Sequence, residues 1–249
     1  MAKKQSKKKP ARKKAAQSPG LRQRVGQGVR RVLRTAFRIV FWGSVAILVW
    51  VLAYRWIDPP TTPYIWSEGS RIGSIQRDWV DLDRIAPAMA RSAVAAEDAN
   101  FCRHWGFDVD AIRGAIEDGA SRGASTISQQ VVKNAFLWHG RSWFRKAAEA
   151  ALTPVMEAFW PKRRVIEIYL NIAEFDEGVF GVQAAARHYF GVDAADLSAR
   201  QAAALASILP SPKTRNPNAL TPGLQRKAAR VRDGAATILA DGRAACFED

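Results

Sequence analysis

GASTISQQVVKN, residues 123–134, predicts a short helix with one polar face. Ser125 can cap this helix, which then runs to about Leu137. Thr126, Gln130 and Lys133 fall at positions i, i+4 and i+7 and line one face. A hydroxyl, an amide and a cation suit hydrogen bonds to sugar and phosphate oxygens, and small residues before the helix allow an anion to approach its N-terminus. A solvated helix face is the alternative interpretation.

Helical patterns also dominate the rest of the chain. The apolar spacing predicts a helix from Leu82 to Asp98, and Asp108 can cap a short one. A long helix is predicted from Ser142 to Trp160, where Pro154 should kink or divide it. Pro161 suits the first position of the next helix. Further helices are predicted at residues 182–189, 198–209 and 223–239.

Strand signals are weak, and residues 64–75 are the one plausible candidate. Residues 59–70 are rich in Pro, Thr and Ser, which is typical of a linker. We therefore predict a mainly α protein whose folded domain covers residues 81–249, after a linker and start of the domain at residues 57–80.

The 249 residues are 48% hydrophobic, which is enough for a sizeable core and excludes general disorder. Two cysteines cannot form a disulfide framework, and spacing does not say whether Cys102 and Cys246 pair. Residues 1–38 hold 14 Lys and Arg and no acidic residue, so the other 211 residues carry 24 basic and 23 acidic side chains. Because the positive charge is confined to this arm, we expect no nucleic-acid partner for the domain.

A membrane-spanning signal anchor is predicted at residues 39–56. Ile39 to Tyr54 contains 16 residues without a charge, bounded by Arg38 and Arg55. As a helix it is about 24 Å long, and snorkelling arginines can make up the difference from a bilayer core of about 30 Å. A buried core helix fits the basic arm poorly, and a cleaved signal peptide lacks its cleavage site.

Charge asymmetry predicts the topology. The arm should stay in the cytoplasm and the domain should lie across the membrane, in an oxidising compartment.

Metalloprotease, NTPase and serine hydrolase chemistries are excluded. The three histidines, His104, His139 and His188, lack metal-binding spacing, and neither a phosphate-binding loop nor a Gly-x-Ser-x-Gly elbow occurs. Carboxylates are the remaining candidates for a catalytic group. Glu97 follows the apolar run AVAA, where desolvation would raise its pKa into the range for acid or base catalysis. If the helix continued, Phe101 and His104 would share its face.

A second charged cluster is RKAAE, with Arg145, Lys146 and Glu149 on consecutive turns. A surface ion pair is the simpler interpretation of this cluster alone. Together with Glu97 and Lys133, it supplies what displacement of a sugar from a diphosphate needs: a base, and cations for the leaving group.

These segments resemble a known family. EDANFCRHWGFD (97–108), GASTISQQVVKN, RKAAE, KRRVIEIYLN (162–171) and GVQAAARHYFG (181–191) resemble, in order and spacing, the five motifs of peptidoglycan glycosyltransferases. The continuation NIAEFDEGVFGVQAAA looks most like the monofunctional Gram-negative members, and no Lys-Thr-Gly motif of a transpeptidase occurs. The resemblance implies a lysozyme-like, mainly helical glycosyltransferase domain. Ala124 and Ser128 are small departures from the motifs.

The resemblance also implies roles for individual residues. Glu97 would be the base that deprotonates the acceptor 4-hydroxyl, and Glu149 a second essential carboxylate at the donor or its diphosphate. Lys133, Arg145 and Lys146 would hold the pyrophosphate. The other implied substrate-site residues are Asp98, Phe101, His104, Ser125, Thr126, Gln130 and Asn134. Tyr169 and Asn171 match the fourth motif, where a structural role is equally expected.

The implied reaction is polymerisation of lipid II into β-1,4-linked glycan strands with inversion and release of undecaprenyl diphosphate. The implied partners are lipid II, the growing strand, inner-membrane lipid and other cell-wall synthesis proteins. No cofactor is required by the resemblance, although Mg²⁺ or Mn²⁺ stimulates some members. The implied location is the bacterial inner membrane, with a periplasmic catalytic domain. A lysozyme-type hydrolase and a membrane-tethered wall-binding scaffold are the rival hypotheses.

Overall fold

The computed structural model describes residues 21–119, 125–140 and 142–248, with side chains from residue 30 onward. The chain divides into two compact units, Met1–Val49 and Trp50–Asp249. The predicted basic arm lies outside the described residues up to residue 20.

The first helix, α1 (Leu21–Tyr54), contains a candidate membrane span at Arg30–Tyr54. This span has 25 residues, so its length of about 37 Å exceeds a bilayer core of about 30 Å. The uncharged run alone would be too short to cross this core. The span extends beyond that run on its N-terminal side, where the arginines lie. A single N-terminal apolar helix therefore fits the predicted membrane anchor.

The second unit is mainly α, as predicted. Its helices are α2 (Pro63–Ile72), α3 (Pro87–Glu97), α4 (Val109–Glu117), α5 (Ile127–Phe136), α6 (Trp143–Phe159), α7 (Lys162–Ile172), α8 (Val182–Phe190), α9 (Ala199–Ile208), α10 (Pro222–Ala240) and α11 (Ala245–Glu248). Its strands are β1 (Gln76–Arg77), β2 (Glu174–Asp176) and β3 (Val179–Phe180). They form one small sheet in the order β1-β3-β2, with β1 parallel and β2 antiparallel to β3.

Two helix groups form the core. The helix α5 packs against α6 and α7, while α3, α9 and α10 pack against one another. Most of α7 is buried, including Val165, Ile168 and Ile172 at 0% exposure. Burying apolar side chains on more than one face makes α7 the centre of its group.

The C-terminal residues hold the loop that follows α3. Cys246 in α11 forms a disulfide with Cys102. Arg243 donates to the carbonyl of Ala99 at 2.9 Å, and the ring of Phe247 lies 6.2 Å from that of Phe101. The question that sequence left open is therefore answered: the cysteines pair, across 144 residues of chain.

The expected strand at residues 64–75 and the linker at 59–70 are wrong for residues 63–72, which form α2. The Thr62 side chain accepts from the backbone N–H of Ile65, Pro63 occupies the first turn, and Gly73 ends the helix at φ +83°. Together these are complete start and stop signals. Tyr64, Ile65 and Glu68 are buried, so α2 belongs to the domain.

Three helix boundaries also differ from expectation. The segment expected to be one helix from Leu82 to Asp98 is a 3-10 turn at Leu82–Arg84 followed by α3, because Pro87 starts a new helix. Thr126, not Ser125, caps α5. Pro154 does not divide α6, whose residues Thr153 and Met156 stay buried on either side of it.

Replacing both cysteines, Cys102→Ser with Cys246→Ser, should lower the free energy of unfolding by about 2–4 kcal/mol, because the disulfide restricts the unfolded chain. Denaturant melts of the full chain in detergent measure this loss. Reductant should produce the same loss in the unsubstituted protein and none in the double variant. An unchanged midpoint in the double variant would contradict a stabilising disulfide.

Candidate active site

Glu97 is the last residue of α3 and lies half-buried beside α5. Its Oε2 accepts a hydrogen bond from Nε2 of Gln130 at 2.9 Å. Burial raises the pKa of Glu97, while the Gln130 hydrogen bond and the charges of Lys227 and Lys133 lower it. A carboxylate with a raised pKa and a fixed orientation is suited to general base catalysis.

The helix α3 ends at Glu97, and the side chain of the next residue, Asp98, connects the end of α3 to the start of α5. Asp98 Oδ2 accepts from the backbone N–H of Ile127 at 2.9 Å, and Oδ1 is 2.7 Å from Nε2 of His104. The carboxylate thus binds the N-terminus of α5, where the helix dipole favours negative charge. The end of α3 and the start of α5 are thereby held together.

Phe101 and His104 do not share the face of Glu97, because α3 ends at residue 97 and the expected continuation of the helix is wrong. Phe101 is fully buried, with Nζ of Lys162 at 4.4 Å from its ring centroid. The side chain of His104 is 9% exposed and faces Asp98. Both residues support the loop behind Glu97 instead of lining an open cleft.

Thr126 also has a structural position. Its Oγ1 accepts from the backbone N–H of Gln129 and donates to the carbonyl of Gly106 at 2.7 Å. Gln129 completes the capping box, a role that was not predicted although the Thr-x-x-Gln spacing is its signature. Gly106 has φ +87°, and a Cβ there would lie 2.6 Å from Cγ2 of Thr153. Only glycine fits at this turn.

Three polar residues of α5 line a cavity of about 500 Å³. Gln130, Lys133 and Asn134 form one wall. The hydroxyl of Tyr169 in α7 is 3.5 Å from Oε1 of Gln130, so Gln130 links Tyr169 to Glu97. Burial lowers the pKa of Lys133, and the nearby Glu149 carboxylate opposes that shift. The predicted face of α5 is therefore a cavity wall at Gln130 and Lys133, whereas Thr126 is buried in the cap of the helix.

Glu149 lies in α6 and is 2% exposed. Nη1 of Arg145 is 2.7 Å from its Oε2, and Lys146 pairs with its other oxygen. Lys146 also reaches the hydroxyl of Ser125 at 3.4 Å, beside the start of α5. A buried carboxylate fixes two cations in place, which is more specific than the surface ion pair considered from sequence.

Other residues of this region gave no signal in the sequence. Tyr64, Lys213 and Glu174 line the same cavity as Lys133. Lys213 lies 2.7 Å from Glu68 and 3.3 Å from Glu174, and thereby joins α2 to β2. These contacts could not be predicted while residues 63–72 were read as a linker and a strand.

Lys227 was missed for a different reason. It belongs to an ordinary-looking basic pair in α10, yet its charge acts on Glu97. Its Nζ donates to the carbonyl of Ser207 at 3.2 Å, near the end of α9. Only the packing of α10 on α3 brings it to the site.

Among the described residues, Asp98, His104 and Asp108 form one group whose ligand atoms lie within 4.8 Å of one another. Both carboxylates are already hydrogen-bonded: Asp98 to Ile127 and His104, and Asp108 to Ala111 and Asn100. These bonds account for the group as part of the loop structure, and we assign no cation to it.

Comparison with known proteins identifies the family of the chain. The family model described as Transglycosylase matches residues 68–237, about two thirds of the chain. The chain belongs to the transglycosylase family. The match includes Glu97, the whole of α5 and the Arg145–Glu149 cluster, and it confirms the resemblance drawn from the five motifs.

Transglycosylases of several bacteria are similar to the chain over most of its length. A biosynthetic peptidoglycan transglycosylase of Jannaschia sp. (strain CCS1) is 60% identical over 223 residues, covering 90% of this chain and 92% of the relative. That of Rhodospirillum centenum is 42% identical, covering 89% and 98%. That of Pseudomonas putida (strain GB-1) is 47% identical, covering 73% and 81%. The protein is therefore a glycosyltransferase of peptidoglycan synthesis.

The activity should fall as the pH is lowered through the pKa of Glu97, because only the ionised carboxylate is a base. Burial places this acid limb above the usual value of 4.5. Gln130→Leu removes a donor that stabilises the carboxylate, so it should move the acid limb to higher pH. A pH profile of kcat/KM measures the shift.

Gln76→Leu, at an exposed amide in β1, is the control and should leave the profile unchanged. An acid limb at the same pH in the Gln130 variant and the unsubstituted protein would contradict this role of Gln130.

Proposed function

We propose that the chain polymerises lipid II into β-1,4-linked glycan strands by a single inverting displacement, without transpeptidase activity. The observation that carries this proposal is that the site contains one carboxylate, Glu97, and a separate cluster of cations around Glu149. A base and a site for an anionic leaving group are the two requirements of the reaction.

In the proposed step, Glu97 takes the proton of the acceptor 4-hydroxyl while that oxygen attacks C1 of the donor sugar. The bond from C1 to the diphosphate oxygen breaks, and the diphosphate leaves with the electron pair. Inversion of the α-linked donor gives a β linkage. Gln130 holds Glu97 in orientation through its amide.

Lys133, Arg145 and Lys146 would stabilise the departing diphosphate. Glu149 pairs with the last two of these cations, so its proposed role is to position them at the donor. One carboxylate and three cations leave a net charge of +2 for an anionic ligand. A hydrolase of glycan strands, the rival enzyme, releases no diphosphate and needs no such cluster.

Glu97→Gln should reduce polymerisation of labelled lipid II by about 10²–10⁴-fold, because it removes the base. Product size before and after muramidase digestion measures the polymer. Glu117→Gln, at an exposed carboxylate in α4, is the matched control and should retain activity. Equal polymer from the Glu97 variant would contradict the assignment, and cleavage of preformed strands would favour the hydrolase.

We also propose that the domain acts on the outer side of the inner membrane, with residue 1 in the cytoplasm. The basic arm precedes the candidate span, and the disulfide between Cys102 and Cys246 requires an oxidising compartment. The substrate's polyprenyl tail stays in the bilayer, which explains an anchored enzyme. Stimulation by Mg²⁺ or Mn²⁺ stays a prediction, to be measured by titration after EDTA treatment.

Aromatic residues between α5 and α6 support contact with the membrane interface. Phe136, Leu137 and Trp160 are core residues. Trp138, Trp143 and Phe144 are 46%, 92% and 77% exposed. Exposed aromatic side chains suit the headgroup region. We propose that these three dip into it.

In vesicles with brominated acyl chains, Trp143→Phe should remove a quenched component of the tryptophan fluorescence of the full chain. Trp105→Phe is the control, because Trp105 is also exposed (62%) but belongs to the loop after α3. Trp105→Phe should remove an unquenched component of the tryptophan fluorescence. If the fluorescence lost in both variants is equally unquenched, Trp143 does not contact the bilayer.

A further inference from the structure

A second cavity, of about 520 Å³, lies between α9 and α10. Its α10 wall includes Gln225, Ala228, Ala229 and Arg232, which follow the i, i+3, i+4, i+7 spacing of one helix face. Lys227, the α10 residue whose charge acts on Glu97, is not part of this wall. The cavity is therefore distinct from the site around Glu97.

The cavity lies in a strongly basic part of the chain. Residues 197–232 contain seven Lys and Arg and no Asp or Glu. Two of these cations, Arg200 from α9 and Arg232 from α10, line the cavity on its two sides. Within the described part of the chain, no carboxylate is within ion-pair distance of Arg200, and Arg232 pairs only with its exposed neighbour Asp233 at 3.1 Å. The guanidinium of Arg200 is available to an anionic ligand, and such a ligand would compete with one exposed carboxylate for Arg232.

The other residues that line the cavity indicate which kind of anionic ligand fits it. Four alanines line the cavity, Ala203 and Ala204 on α9 and Ala228 and Ala229 on α10. The remaining lining residues are apolar or carry amides: Phe190, Pro217, Leu220, Gln201, Asn218 and Gln225. A volume of this size matches small-ligand sites, whereas a folded partner needs a broad surface of about 800 Å². Guanidinium groups on both sides and a lining with four alanines fit a short peptide with carboxylates and small side chains.

We propose that this cavity binds the acidic peptide carried by the muramyl sugars of the growing strand. The inference rests on the proposed function, because such peptide-bearing strands would be its product. Binding one peptide outside the catalytic cleft would keep the strand close to the enzyme between successive additions, at a high effective concentration.

The test measures binding of a soluble disaccharide pentapeptide to the full chain in detergent by equilibrium dialysis, beside the same disaccharide without peptide. Arg200→Ala with Arg232→Ala should weaken binding of the peptide-bearing ligand at least tenfold. Arg226→Ala with Arg230→Ala, at two exposed arginines of α10 that do not line the cavity, is the matched control and should leave it unchanged. Thermal melts establish that both double variants are folded.

Strand length gives a second readout. The Arg200 and Arg232 double variant should keep the rate of the first coupling but release shorter strands. Equal binding of the two disaccharides, or equal loss in both double variants, would overturn the proposal. Displacement of the ligand by an unrelated acidic peptide or by anionic vesicles at equal carboxylate or phosphate concentration would also overturn it, because the cavity would then recognise charge alone.

The two proposals fail differently. If the unsubstituted chain makes polymer yet does not distinguish the two disaccharides, only the peptide site is wrong. If it binds the peptide-bearing ligand at Arg200 and Arg232 but makes no polymer from lipid II, the proposed function is wrong.

Discussion

The site depends on one buried carboxylate, that of Asp98. Asp98 directly follows α3, and its carboxylate accepts from the first backbone N–H of α5, with His104 on its other oxygen. The distance between Glu97 and Gln130 is set by this junction. Several other contacts serve the same loop, because the disulfide, Arg243 and Phe247 all hold residues 99–102 from the C-terminal side.

The two glutamates of the site lie in different environments, and this difference assigns their roles. Glu97 faces one amide donor, and burial raises its pKa, which favours exchange of a proton. Glu149 is more deeply buried and pairs with Arg145 and Lys146, so it is a fixed negative charge that orders two cations. Lys133 lies within electrostatic reach of both carboxylates. The proposed base and the proposed leaving-group site are thus joined through one lysine.

The sequence predicted the helical class, the candidate span and the family, because ordered motifs and the charge-free run are local signals. Helical spacing also predicted that Gln130 and Lys133 share a face, and the resemblance implied Asn134 beside them. The sequence did not predict α2. Thr62 and Pro63 were interpreted as linker composition and not as cap and first turn, and Gly73 was placed in the candidate strand and not recognised as the stop. No local sequence signal indicates Lys227 or Lys213. Only the packing of α10 on α3, and of the turn that contains Lys213 on β2, brings them to the site.

The stereochemistry of the first coupling tests the account most directly. In the proposed reaction Glu97 acts as a base and not as a nucleophile, which implies a single displacement. Rapid-quench reaction of the full chain with lipid II, analysed by NMR of the first-formed disaccharide linkage and by intact protein mass, measures both consequences. The account predicts β linkages from the first turnover and an unmodified protein mass. An α linkage, or a sugar adduct on a carboxylate of the chain, would contradict it.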